Sequence, residues 1–157
     1  MKNNKLQTDY FLEFVLKIIS KEYSGKSKRE LETVVRDILG MRNLVLAESF
    51  YGVLQLLNMN IDVLCDKLFK DHKFTRLHLV SESGNKLKDF LSPFVQGTKD
   101  VASAANIENT RLSRLLKGEF MHLYPNEVYG LSKSLGLKPS QLFYYLYGDG
   151  ERPVVGV

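Results

Sequence analysis

Residues 97–118, GTKDVASAANIENTRLSRLLKG, predict two short helices joined by a tight turn. Small apolar groups lie on one face of the first helix: Val101, Ala102 and Ala105. Asn106 stands where the chain must turn sharply, and asparagine tolerates a left-handed backbone better than most residues. Ile107 follows it as a predicted buried plug.

The second helix is predicted over Asn109–Lys117, with Gly118 as its C-cap. Its apolar stripe has three- and four-residue spacing and comprises Leu112, Leu115 and Leu116. Its other face carries short or hydrogen-bonding side chains: Glu108, Asn109, Thr110, Ser113 and Arg114. We therefore expect one face to meet a core and the other to meet solvent or a ligand.

This pattern closely resembles the helix-turn-helix of the Cro and phage-repressor family, an XRE-like DNA-binding family. The matching features are Ala102, Ile107, the Leu-Ser-Arg run Leu112–Arg114, and Gly118. Residues 124–143, YPNEVYGLSKSLGLKPSQLF, also resemble that family's fourth and fifth helices. The resemblance covers about 85–147. It implies a lambda-repressor-like five-helix domain whose second motif helix enters the major groove of DNA.

The sequence departs from the family pattern at two places. Gly97 and Thr98 stand where the family usually has Thr-Gln, whose Gln touches phosphate. Ala105 and Asn106 stand where Leu and Gly are common. The overall fold expectation does not depend on these positions.

Two kinds of contact are expected of the motif: base contacts, which the resemblance implies, and phosphate contacts from its polar and basic side chains. The expected base contacts are Glu108, Asn109, Thr110, Ser113 and Arg114. Asn bonds adenine and Arg bonds guanine through two atoms each, and Thr or Ser bonds either base. The expected phosphate contacts are Thr98, Lys99, Arg111 and Lys117, with Lys133 as a further cation. The alternative for each is a solvated surface side chain.

The first half of the chain repeats part of the second. Shifted by 78 residues without gaps, 30–69 falls on 108–147 with eight identical pairs among 40. These include Arg36 with Arg114, Gly40 with Gly118, and Tyr51-Gly52 with Tyr129-Gly130. At the positions that match Asn109, Thr110 and Ser113, the first copy has Leu31, Glu32 and Val35. These side chains do not suit base edges, so we expect a degenerate copy that packs or dimerises.

The predicted organisation is all-α, with two helical subdomains. Residues 1–72 form the N-terminal subdomain, with helices over 10–22, 27–39, 45–57 and 61–70. A capping box of Ser27 and Glu30 opens the second of these. Residues 73–84 are predicted to form a linker. The helix-turn-helix domain follows over 85–147 and begins with a helix over 86–95. Residues 148–157 are predicted to form a flexible tail. The aromatic run 143–147 is expected to seal a dimer or to pack on the first half.

Composition restricts the function. The 157 residues carry a net charge of +4, but residues 97–157 hold only seven basic and six acidic side chains. No apolar run is long enough for a membrane span, and no signal peptide is predicted. A single cysteine, Cys65, favours a cytoplasmic location and is expected to be buried and inert. The histidines lack metal-ligand spacing, so we expect neither an enzyme nor a cofactor.

The sequence therefore predicts a transcriptional regulator that binds double-stranded DNA as a homodimer. Its small-molecule effector, if it has one, is unknown. Two alternatives keep the fold without sequence-specific DNA binding. One is a protein–protein interaction module, favoured by the nearly neutral second half, and the other is an antitoxin-like partner of a second protein.

Overall fold

The computed structural model describes residues 5–77, 98–119 and 122–154, and within these ranges the chain is all-helical, as predicted. The described α-helices are α1 Thr8–Glu22, α2 Gly25–Leu39, α3 Ala47–Leu56, α4 Ile61–Leu68, α5 Thr98–Ala104, α6 Asn109–Arg114, α7 Pro125–Ser134 and α8 Pro139–Tyr147. A π-helical turn, Leu115–Glu119, continues α6. The predicted helix over 86–95 and most of the predicted linker lie outside the described residues.

The first two helices pack against each other and against α3. α1 buries Phe11, Val15 and Ile19, whose four-residue spacing places them on one stripe. α2 begins at Gly25 with Ser24 as its N-cap residue, so the predicted capping box at Ser27 is wrong. The chain instead turns into α2 at Gly25, whose φ of +63° suits glycine.

The main hydrophobic core draws on both halves of the chain. The ring of Phe50 in α3 lies 5.3 Å from Phe11 in α1 and 5.4 Å from Phe143 in α8. Phe69, just after α4, lies 6.4 Å from Phe50 and completes the cluster. Because one residue contacts rings from three other segments, α1, α3, α4 and α8 are held in one arrangement.

The two C-terminal helices begin as the sequence predicts. Pro125 and Pro139 each occupy the first turn, where a missing N–H costs nothing. At the start of α7, Glu127 reaches back and accepts a hydrogen bond from the backbone N–H of Tyr124 at 2.9 Å. The predicted burial of Cys65, in α4, is confirmed.

Candidate nucleic-acid interface

The α5–α6 unit has the tight turn that the sequence predicts. Asn106 adopts φ +57°, in the left-handed region. The backbone N–H of Ile107 donates to the carbonyl of Ala102 at 2.8 Å, and the Ile107 side chain is buried. The left-handed backbone of Asn106 and the buried side chain of Ile107 therefore set the angle between α5 and α6.

A small core of its own supports this unit. It consists of Ala102, Ala105, Ile107 and Leu112, with Val101 and Leu131 packed against it. Leu131 belongs to α7, so the motif rests on the helix that follows it. Small side chains in α5 let the helices approach closely, as the run of alanines predicts.

The approach is closest at Gly130 in α7. A Cβ atom built on Gly130 would lie 2.4 Å from the carbonyl oxygen of Ala105 and 2.8 Å from the ring of Phe74. Phe74 belongs to residues 73–77, where the Thr75 N–H donates to the Ala104 carbonyl at 2.9 Å. The same segment bonds α7, through the N–H of Leu77 and the carbonyl of Ser134 at 2.7 Å. Residues 73–77 thus tie α5 to α7.

The predicted base-contacting residues come together on the outer side of α6. Leu112 and Leu115 point into the protein, and both are buried. At 3.6 residues per turn, Thr110, Ser113 and Arg114 fall on the side away from those leucines, and Asn109 lies at the edge of that side. All are exposed apart from the half-buried Ser113.

Glu108 is the N-cap residue of α6 and is exposed, but its side chain makes no capping hydrogen bond. Its carboxylate is therefore not engaged with the first turn of the helix. A carboxylate at this position can accept a hydrogen bond from the N4 amino group of cytosine. It also repels phosphate, so it limits how closely the start of α6 can approach a DNA backbone.

Arg111, expected from the sequence to contact phosphate, lies in a buried ion pair instead. Its Nε donates to Glu127 Oε2 at 3.0 Å and its Nη2 to Glu127 Oε1 at 2.9 Å. Nη2 also donates to the carbonyl of His122 at 2.7 Å, and the guanidinium lies 4.9 Å from the centre of the Tyr124 ring. The two charged side chains are only 17% and 7% exposed. The expected phosphate contact at Arg111 is therefore not supported, because its guanidinium holds α6 against α7.

The other expected phosphate contacts differ in their surroundings. Lys99 and Lys117 are exposed, and no ion pair involves either of them among the described residues. Thr98 begins α5, and only its backbone is described. The Nζ of Lys133 lies 3.5 Å from Oδ1 of Asp66 and over the ring of Tyr129, so its charge is paired within the protein. Lys99 on α5 and Lys117 in the π turn therefore carry exposed charges that no ion pair among the described residues engages.

Leu116 is the residue that sequence reasoning misplaced. The three- and four-residue spacing predicts Leu116 in the apolar stripe of α6, but the side chain is 70% exposed. The helix widens into the π turn at Leu115 and continues through Gly118, which is therefore not a C-cap. At 3.6 residues per turn Leu116 lies at the edge of the stripe that Leu112 and Leu115 define, and the structure leaves it in solvent. An exposed leucine beside Lys117 adds an apolar contact to an otherwise polar face.

The arrangement offers little metal or membrane chemistry. Among the described residues, no group of three or more His, Cys, Asp or Glu side chains is placed to hold a metal ion. Within the same ranges, no helix combines the length and the apolar character needed to cross a bilayer.

Comparisons with known proteins add no relative. No family model matches the chain, and no curated protein and no solved structure matches it either.

Proposed function

We propose that this protein binds double-stranded DNA sequence-specifically and regulates transcription. The observation that carries the proposal is the outer face of α6, where Asn109, Thr110, Ser113 and Arg114 lie together. The opposite side of this helix packs on α7. The helix and its π turn would lie in the major groove, where each base pair presents a distinct pattern of donors and acceptors. The resemblance of residues 97–118 to the Cro and phage-repressor helix-turn-helix supports the same function.

The chemistry of this face divides the contacts. Asn109 and Arg114 carry the groups that bond adenine and guanine through two atoms each. Lys99 and Lys117 supply charge for phosphate, which holds register without reading sequence. Leu116 is suited to the methyl group of thymine, an apolar contact in the same groove.

The charge of this surface predicts modest non-specific affinity. Lys99, Arg114 and Lys117 are opposed by the exposed Asp100 and Glu108. Few neutralised phosphates mean a shallow dependence of affinity on salt. We therefore expect base contacts to supply a larger share of the binding free energy than they do in a strongly basic DNA-binding domain. The cytoplasmic location and the homodimer expected from the sequence stay predictions.

The test is selection of random duplex DNA by the purified chain, followed by affinity measurements on the recovered site at several salt concentrations. Asn109→Ala and Arg114→Ala should each lower affinity for that site by about 5- to 150-fold, which corresponds to about 1–3 kcal/mol. Lys117→Ala should weaken binding to all sequences alike. Arg36→Ala is the matched control, because Arg36 is the exposed counterpart of Arg114 in the first copy. Equal and negligible effects of all the α6 substitutions would refute the proposal.

A second function, a protein-binding module, is favoured by one observation, the exposure of Leu116 on a nearly neutral face. Exposed apolar groups that are rimmed by polar ones mark protein contacts as well. In that case no duplex is retained even at low salt, and Leu116→Ala releases a co-purifying partner. An antitoxin-like role is a separate possibility, in which the first half of the chain binds a second protein that co-purifies with it.

A further inference from the structure

The hairpins α3–α4 and α7–α8 are copies of each other in structure as well as in sequence. A shift of 78 residues places Ala47–Leu56 on Pro125–Ser134 and the start of Ile61–Leu68 on that of Pro139–Tyr147. The turns between the helices match too. Asn58 has φ +51° and its counterpart Gly136 has φ +71°.

The hydrogen bonds of the two turns also correspond. The N–H of Asn58 donates to Gln55 and that of Gly136 to Lys133, each at 3.2 Å. The next N–H along the chain, in Met59 or Leu137, donates to a carbonyl five residues back, at 2.9 and 2.8 Å.

Contacts between the two hairpins are reciprocal. The ring of Tyr51 lies 6.2 Å from that of Tyr147, and the counterparts of these residues, Tyr129 and Phe69, lie 5.5 Å apart. A polar contact between the hairpins is reciprocal as well. Gln55 bonds the hydroxyl of Tyr144 at 3.3 Å, and their counterparts Lys133 and Asp66 form an ion pair at 3.5 Å.

One pair of counterparts meets directly. Asp62 accepts hydrogen bonds from the backbone N–H and the hydroxyl of Ser140, both at 2.8 Å, and the two residues are 78 positions apart. In an interface where residue i contacts j and j contacts i, only residues at the twofold axis contact their own counterparts. The two hairpins are therefore related by an approximate twofold axis that passes near Asp62 and Ser140.

Such an interface is the kind that normally joins two identical subunits. Here one chain supplies both sides of it, and Phe50, Cys65, Val128 and Phe143 are buried in the core that it shares. This surface is consequently not available to a second copy of the protein.

The helix that precedes each hairpin breaks the symmetry. Val35 and Leu39 in α2 are buried, whereas their counterparts Ser113 and Lys117 reach the surface. At the positions of Asn109, Thr110 and Ser113, α2 has the half-buried Leu31 and Glu32 and the buried Val35, so only Arg36 is exposed like its counterpart Arg114. Each molecule accordingly carries one base-reading helix.

We infer that this chain is an internal pseudo-dimer with a single reading helix, and that its DNA ligand is one asymmetric half-site bound by one chain. The inference rests on the proposed function and replaces the expected homodimer with a monomer. The absence of a second reading face on α2 means that an inverted repeat offers no more base contacts to one molecule than a single half-site does.

Two measurements on the full chain test this inference. The first is urea unfolding at about 1 µM and about 100 µM protein, with Arg36→Ala as a variant outside the interface. An interface within one chain gives the same midpoint at both concentrations, whereas one between two chains gives a midpoint that rises with concentration. A midpoint that rises would show that a second chain contributes to stability and would overturn the monomer, whatever the protein binds.

The second measurement is sedimentation equilibrium of the chain with the duplex recovered by selection. We expect one chain per duplex and a motif without twofold symmetry. Two chains on half-sites about 10 base pairs apart would overturn the inference while the proposed function stands. If no duplex is retained at low salt, the proposed function fails, and the half-site fails with it.

Discussion

Arg111 in α6 and Glu127 in α7 form a two-pronged ion pair that joins the two helices. Both nitrogen–oxygen distances are about 3 Å, at 3.0 and 2.9 Å, and the carboxylate also caps α7 by accepting from the Tyr124 N–H. The pair is mostly buried, so each charge depends on the other for the interactions that water would otherwise provide. The orientation of α6, and with it the position of Asn109 and Arg114, depends on this pair.

Removing one member of the pair should therefore destabilise the protein strongly. Arg111→Met leaves the buried Glu127 carboxylate without its partner, and we expect a loss of about 3–5 kcal/mol in the free energy of unfolding. Urea denaturation measures this loss. The control is Lys17→Ala, which removes an exposed pair with Glu13 and should cost less than about 1 kcal/mol. A loss from Arg111→Met no larger than that of the control would show that the pair does not hold α6.

The two copies provide a matched pair of glycines. Gly130→Ala puts a methyl group 2.4 Å from the Ala105 carbonyl, and backbone on that side must shift. We expect a loss of about 1–3 kcal/mol. Its counterpart Gly52 has only Ile38 nearby, at an ordinary 3.5 Å, so Gly52→Ala should be neutral or stabilising by up to about 1 kcal/mol. Thermal unfolding of both variants checks the difference, and equal effects would contradict it.

The turn of the first hairpin can be improved by copying the second. Asn58 has φ +51°, whereas the second hairpin has Gly136 at the same place. Glycine has no Cβ to strain in this region, so Asn58→Gly should raise the free energy of unfolding by several tenths of a kcal/mol, to about 1 kcal/mol. Asn58→Val, a β-branched substitution, should lower it. Chemical denaturation of both variants is the measurement, and the prediction fails if valine is tolerated as well as glycine.

Cys65 should make the protein less stable in alkali. Burial raises the pKa of its thiol well above the ordinary 9.0, and the carboxylates of Asp62 and Asp66 raise it further. Below pH 9 the thiol is protonated in both the folded and the unfolded chain, so this stability is fully present. As the pH rises above 9, the unfolded thiol ionises while the folded one stays protonated. The free energy of unfolding then falls by up to about 1.4 kcal/mol per pH unit, which corresponds to the release of one proton on unfolding.

The check is the slope of the free energy of unfolding between pH 8 and pH 10. Cys65→Ala should remove this component of the slope, although its overall stability is lower because of the cavity. Thiol reagents should react with the wild-type chain at the rate at which it unfolds. Rapid labelling of the folded protein would show that the thiol is accessible.

Much of the local structure could be predicted from the sequence. The four-residue apolar spacing in α1, the prolines that open α7 and α8, and the Asn106 turn all have local causes, and each is present. The 78-residue repeat was also visible, because its tyrosine-glycine pairs and leucine spacing survive in the chain. The motif helix lies where its apolar stripe predicts, up to Leu115.

Tertiary structure decided the rest, because it depends on which surfaces meet. Nothing local marks Arg111 as an ion-pair residue, since its partner lies 16 positions away on another helix. Leu116 lies at the edge of the apolar stripe, and its exposure depends on how far the neighbouring helices extend over that edge, which the helical period does not state. The reciprocal contacts between the hairpins arise only when both copies fold against each other. The sequence by itself thus determined the helices and the turn of the motif, while packing decided which side chains of α6 are buried or paired and how the two copies meet.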